Sequence, residues 1–358
     1  MNARDAEALW QRLSGHGLVC GAAPAFDEVD SPWYVRLMLG IAGWFAALLM
    51  FGFIGAAFAF ATESAAAAIG VGLLLCAAAW LLFRIQGANE FVEQFALAVS
   101  ISGQGFVLFG LAKGVSQDVA QVAIGMIVLQ AALFFLVDNF VHRVWCAMAA
   151  SAAFAVLMAD LHLLDYAPGL FALASAAVWL HEFHSERRAE AMRAAGYGFV
   201  LALLVAAGVV IAFGMVADWG DMADYRSVLV HAHIGRVLSG IALLWACATL
   251  LAGQGLLRFS AAGLRVFVTA GVIVVANQFA PGLAPAMLIV ILGFGHGNRL
   301  LLGSGVIALL AYLSFYYYSL QTTLLVKSMV MIATGLALLA VRYVIRSGSA
   351  VDSQVNHA

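Results

Sequence analysis

The stretch from Ala65 to Phe83, AAAAIGVGLLLCAAAWLLF, carries no charged group, and runs like it fill the chain. A helix of about 20 apolar residues crosses the roughly 30 Å hydrocarbon layer of a bilayer, because each residue rises about 1.5 Å. Runs long enough, or nearly so, are predicted at 35–60, 64–83, 93–112, 119–138, 143–161, 166–182, 194–217, 235–253, 263–280, 284–298, 300–319 and 325–344. Lipid offers backbone N–H and C=O groups no partner, so a spanning segment is a helix or part of a closed barrel. Barrel strands alternate polar and apolar residues, and these runs do not. The expected fold is all-α: a polytopic integral membrane helix bundle of about 12 transmembrane helices.

Composition agrees. Hydrophobic residues make up 65% of the 358 and charged residues 10%, against about 45–50% and 25% in ordinary soluble domains. That excludes a soluble globular enzyme, and a net charge of -2 provides no basic field for nucleic acid. Cys20, Cys76, Cys146 and Cys247 lie far apart without CxxC spacing, as small buried hydrophobes do. The polar stretch through Asp30 has no cleavable-signal pattern, so the first span is expected to drive insertion.

Arginine placement sets the expected orientation, since short basic loops stay cytoplasmic. With an inward N-terminus, only Lys113, Arg226, Arg236 and Lys327 fall on the outer side, and the other thirteen basic residues lie inside. Both termini are therefore expected in the cytoplasm. The organisation reads as an N-terminal cytoplasmic segment over 1–32 with a short amphipathic helix, a transmembrane domain over 33–346 and a disordered cytoplasmic tail over 347–358. Two parallel six-helix halves, 33–190 and 191–346, are suggested by a weak likeness between the segments starting at His142 and Asn298. The charge-free stretch 266–298, interrupted by PGLAP at Pro281 to Pro285, reads as two short spans or as a re-entrant pair.

Two segments carry a family resemblance: SPWYVRLMLGIAGWFAALLMFGFIGAAF from Ser31, and the region from Arg299 that contains FYYYSLQTTLLVKS, Phe315 to Ser328. Together they resemble the bacterial membrane family called domain of unknown function 4401 (DUF4401), related to 2157 (DUF2157). The resemblance implies a multi-span bacterial inner-membrane protein encoded beside a small membrane-anchored protein with a GDYXXLXY motif. That motif is not in this chain, where Gly220 and Asp221 are followed by Met222, so such a partner would be a separate protein. The resemblance implies neither an activity nor a cofactor.

Ionisable and amide groups inside apolar runs are the candidate functional residues, because a charge at mid-bilayer costs about 2.5–3.5 kcal/mol on insertion scales. A substrate path is read through Asn277 and Gln278, which precede PGLAP where a broken helix would bare carbonyls, with Gln104, Glu93, Asp160 and His162 as further members. Interhelical hydrogen bonding is the competing use of the amides. An outer contact surface for lipid or a partner is read at Asp221, His231, His233, Tyr316, Tyr317 and Lys327, with Tyr312 in the same aromatic belt. The alternating glycines of GFGHGN, Gly293 to Asn298, read as a flexible turn or a hinge. No catalytic residue, metal site or cofactor is called for. These features favour a transporter or lipid-handling protein with membrane lipids as partners. A non-enzymatic scaffold of an envelope complex is the alternative.

Overall fold

The computed structural model describes residues 10–15, 52–58, 60, 63–85, 90–114, 118–181, 189–219, 232–253, 261–280 and 282–319, with isolated positions between 17 and 49 and between 325 and 332. The side chains of 210–219 and 316–319, and a few others at helix ends, are outside this description. Every long element in the described residues is a helix: α1 Ala65–Phe83, α2 Glu90–Gly114, α3 Val119–Leu136, α4 Phe140–Asp160, α5 Ala167–His181, α6 Ala189–Trp219, α7 Ala232–Gly253, α8 Ala261–Phe279, α9 Leu283–Gly295 and α10 Arg299–Ser319. A 3₁₀ turn, Leu164–Tyr166, joins α4 to α5.

Six of these helices contain stretches long and apolar enough to cross a membrane: Ala65–Phe83, Val92–Gly114, Val119–Leu136, Phe140–Asp160, Ala189–Val209 and His233–Gly253. The expected twelve are thus met in part. Gly263–Gln278, Leu283–Gly295 and Arg299–Phe315 are shorter apolar helices, and α5 has 15 residues. The expected spans 35–60 and 325–344 lie largely outside the described residues.

Polar residues at the turns fix where the helices begin. Ser64 Oγ accepts the Ala67 N–H (3.1 Å), Asp118 Oδ1 the Gln121 N–H (3.2 Å) and Asn139 Oδ1 the His142 N–H (3.0 Å). Each satisfies a first-turn donor that has no partner within its own helix. Between α3 and α4, Arg143 donates to the Phe134 carbonyl (3.3 Å) and pairs with Asp138 at 2.7 Å. Asp138 is 86% exposed. Asp138→Ala is therefore expected to shift stability by less than about 1 kcal/mol. Arg143→Ala, which strips a carbonyl bond as well, is expected to cost more, both read as thermal unfolding midpoints in detergent.

The chain divides into two compact units, Met1–Glu63 with Gly70–Phe106, and Ser64–Ile69 with Val107–Ala358. In the first, Ile54, Ala79 and Val99 form a small core with Phe58 and Phe106 packed edge to face. In the second, α3 packs on α4, α4 on α6, α5 on α6 and α7, and α9 on α10 and α7. Its core joins Phe171 and Trp179 of α5, Leu203 of α6, Leu243 of α7, Leu288, Ile289 and Leu292 of α9, and Leu301 of α10. Small residues let these backbones approach: Gly198 of α6 meets Ala147 of α4, and Gly305 of α10 lies against Val290 of α9. Outward faces stay apolar, as in Val268, Val272 and Val275 of α8, each about 60% exposed. A surface of that kind suits lipid rather than water.

Cys76, Cys146 and Cys247 are buried and form no disulfide with one another, and Cys20 is outside the described residues. Cys146 Sγ contacts His142 Nδ1 one turn earlier on α4, at 3.5 Å.

Candidate functional site

Helix α9 is the element that departs most from simple spanning geometry. Its 13 residues reach about 20 Å at 1.5 Å per residue, well short of the hydrocarbon thickness. Ala284, Pro285, Ala286, Leu288, Ile289, Leu292 and Gly293 are all buried, so protein rather than lipid surrounds most of it. A short helix enclosed in this way starts at a backbone break, and the break lies between α8 and α9.

Four side chains and one glycine hold the break. Asn277, 1% exposed, donates from Nδ2 to the Arg236 carbonyl (3.2 Å) and accepts the Ala284 N–H on Oδ1 (3.0 Å). Arg236, in the first turns of α7, returns a bond from Nη1 to the Gln278 carbonyl at 2.7 Å. Gln278 donates to the Val274 carbonyl on its own helix (3.4 Å). Gly282 has φ +99, and a Cβ there would sit 2.9 Å from Cγ of Tyr312, whose hydroxyl reaches across to the Leu204 carbonyl of α6 (3.2 Å). Together these contacts complete backbone groups that a broken helix leaves open, and they place a guanidinium on a carbonyl at the C-terminal, electronegative end of α8.

The neighbouring turn is tight. The Asp165 carbonyl lies where a side chain on Gly235 would go, and Gly169 packs on the Gly235 carbonyl and on Leu238, so only glycines bring the 3₁₀ turn, α5 and α7 together. Asp165 is buried, whereas Asp160 and His162 are exposed at the end of α4, with His162 at φ 58.

The other end of α9 is closed by hydrogen bonds as well. The N–H of Asn298 bonds the Gly293 carbonyl (2.9 Å) and that of Gly297, at φ +61, bonds the Phe294 carbonyl (3.2 Å). This is a Schellman cap with glycine in the left-handed position. Asn298 then caps α10 by accepting the Leu300 and Leu301 N–H groups, both at 3.1 Å, and donates to the Tyr197 hydroxyl of α6 at 2.6 Å. Where GFGHGN reads as a flexible turn or hinge, the structure has a fully capped corner.

Of the predicted path residues, Asn277 and Gln278 sit together at the break. Gln104 is buried on α2 and donates to Ser100 Oγ (3.2 Å), and Glu93 is exposed near the start of α2. Both belong to the first unit. His233 is exposed in the first turn of α7. Asp221, His231 and Lys327 lie outside the described residues, as do the side chains of Tyr316 and Tyr317. Two residues at the break make contacts that the sequence does not reveal: Arg236 is bonded across to α8, and the Tyr312 hydroxyl to the Leu204 carbonyl of α6.

A chain whose described elements are all helical, with several apolar helices long enough to cross a bilayer, lipid-suited outer faces and a buried short helix, is a polytopic membrane protein. It belongs to the family described as Domain of unknown function (DUF4401), which it matches over residues 32–347. No curated protein and no solved structure matches it.

Proposed function

We propose that the chain is a multi-span bacterial inner-membrane transporter or lipid-handling protein, with both termini cytoplasmic, in which the α8–α9 break is the substrate-responsive element. One observation carries the reading: a helix too short to cross the bilayer begins inside the bundle at a break braced by an arginine and an amide. Discontinuous helices of this kind form substrate sites in many transporters, because their ends present uncancelled dipoles away from lipid. Arg236 and the α9 N-terminus favour an anionic group, such as a lipid phosphate or a carboxylate. Membrane lipids are the natural partners. A separate GDYXXLXY-motif protein is the partner that the family resemblance suggests.

The test uses Gln278→Cys and Ala280→Cys in a chain whose four native cysteines are replaced, treated in intact cells with a membrane-impermeant maleimide. Labelling of both from outside is expected, together with a co-purifying anionic lipid or solute that Arg236→Leu loses. Absence of labelling with no co-purifying ligand would end the reading. A tag fused after Arg346 should become accessible only once the membrane is permeabilised.

A further inference from the structure

His296, at the C-cap of α9, makes two contacts that chemistry does not let one neutral imidazole satisfy. Its Nδ1 lies 2.8 Å from the Leu292 carbonyl and its Nε2 lies 2.8 Å from the Trp179 carbonyl. Carbonyl oxygens only accept, and neutral imidazole has one N–H, leaving a bare lone pair at the second contact. Only imidazolium donates at both. We propose that His296 is a proton-binding site whose doubly protonated ring ties the end of α9 to the end of α5.

The surroundings favour a cation there. Leu292 and Trp179 belong to the last turns of α9 and α5, so the negative ends of two helix dipoles converge on one ring. The Trp179 indole packs against the ring in a T-shaped arrangement, with centroids 5.7 Å apart. The ring is only partly buried, which leaves a route for the proton. Among the described residues, the titratable and charged groups at this end of the packed helices are His181 on α5, Glu190, Arg193 and Tyr197 on α6, Arg265 on α8 and Arg299 on α10. Glu190 is the one acid among these described residues, and it is exposed. The inference stands whether or not the chain is a transporter, since it concerns the opposite end of α9 from the break.

The experiment takes the full chain, labelled with ¹⁵N-histidine, in lipid nanodiscs, and assigns the His296 signal by its loss in His296→Gln. At low pH both ring nitrogens should carry protons and show hydrogen-bonded shifts, and at the higher pH where one proton is lost one of the two hydrogen bonds should go with it. A ring with one bare nitrogen at the lower pH would overturn the proposal. Should the Gln variant not fold, amide exchange over 292–298 decides the matter on the unaltered chain. Protection corrected for intrinsic exchange is expected to fall about fivefold from the lower to the higher pH, the loss of one hydrogen bond. Equal protection at both would overturn it. In His296→Lys, whose ammonium stays charged and offers several donors, protection is expected not to change with pH, whereas a fall like that of the native chain would assign the effect to another group.

Discussion

Gly282→Ala is expected to produce the largest loss of stability of any single methyl addition at the break. Two costs fall on the same atom. The backbone at φ +99 is one that a side chain adopts at about 1–2 kcal/mol, and the added Cβ would stand 2.9 Å from the Tyr312 ring. That ring has little freedom to withdraw, because its hydroxyl is bonded to the Leu204 carbonyl, and forcing a packed group aside typically costs about 1–3 kcal/mol more. The sum, about 2–5 kcal/mol, should appear as a clear fall in the thermal midpoint and in the yield of monodisperse protein. Tyr312→Ala alone should cost less, since it removes a contact without straining the backbone. The double variant should recover the packing part of the Gly282→Ala loss and leave the conformational part. Strict additivity of the two single changes would show that ring and glycine do not press on one another.

The break also shows which parts of the molecule a sequence reveals. The helices were legible because lipid imposes one period and one length. The runs expected at 64–83, 119–138 and 235–253 return as α1, α3 and α7 within a few residues. Even the awkward stretch around PGLAP divides where Pro281 and Gly282 say it should. Asn277 and Gln278 stood out because amides are scarce in such surroundings. Their partner did not. Arg236 lies 41 residues from Asn277 in the chain and was counted as an outward basic group, since nothing local distinguishes a loop arginine from one reaching a carbonyl on another helix. Tyr312 was equally opaque, because an aromatic near a helix end suits an interfacial belt as well as a packed core. Helix α9 is apolar all round, so its sequence marks it as buried without saying against what. Contacts between helices here depend on glycines meeting particular backbone atoms, and that complementarity leaves no periodic trace.

Asn277→Leu tests the amide directly and is the second large effect to expect. The leucine suits the apolar setting and has the same heavy-atom branching as asparagine, so no cavity is left and the loss reports hydrogen bonding together with the crowding of two larger methyl groups. The Ala284 N–H and the Arg236 carbonyl would each lose a partner. Two open backbone groups in a site 1% exposed at the asparagine cost about 1–3 kcal/mol apiece, because no water replaces the lost partner. Bonds between membrane helices average nearer 0.6 kcal/mol when the unfolded reference stays in lipid and finds other partners. The higher range applies here since Ala284 follows a break and its N–H has no carbonyl of its own helix to turn to. Asn277→Asp separates the two bonds. The carboxylate still accepts from Ala284 and gains attraction to the Arg236 side chain, but its second oxygen faces the Arg236 carbonyl, acceptor against acceptor, in a buried site. It should therefore recover only part of the stability that leucine loses, measured as the denaturant or thermal midpoint of the purified chain. Equal losses in the two variants would place the stabilisation in the bond to Arg236 and remove the cap on α9 from the account.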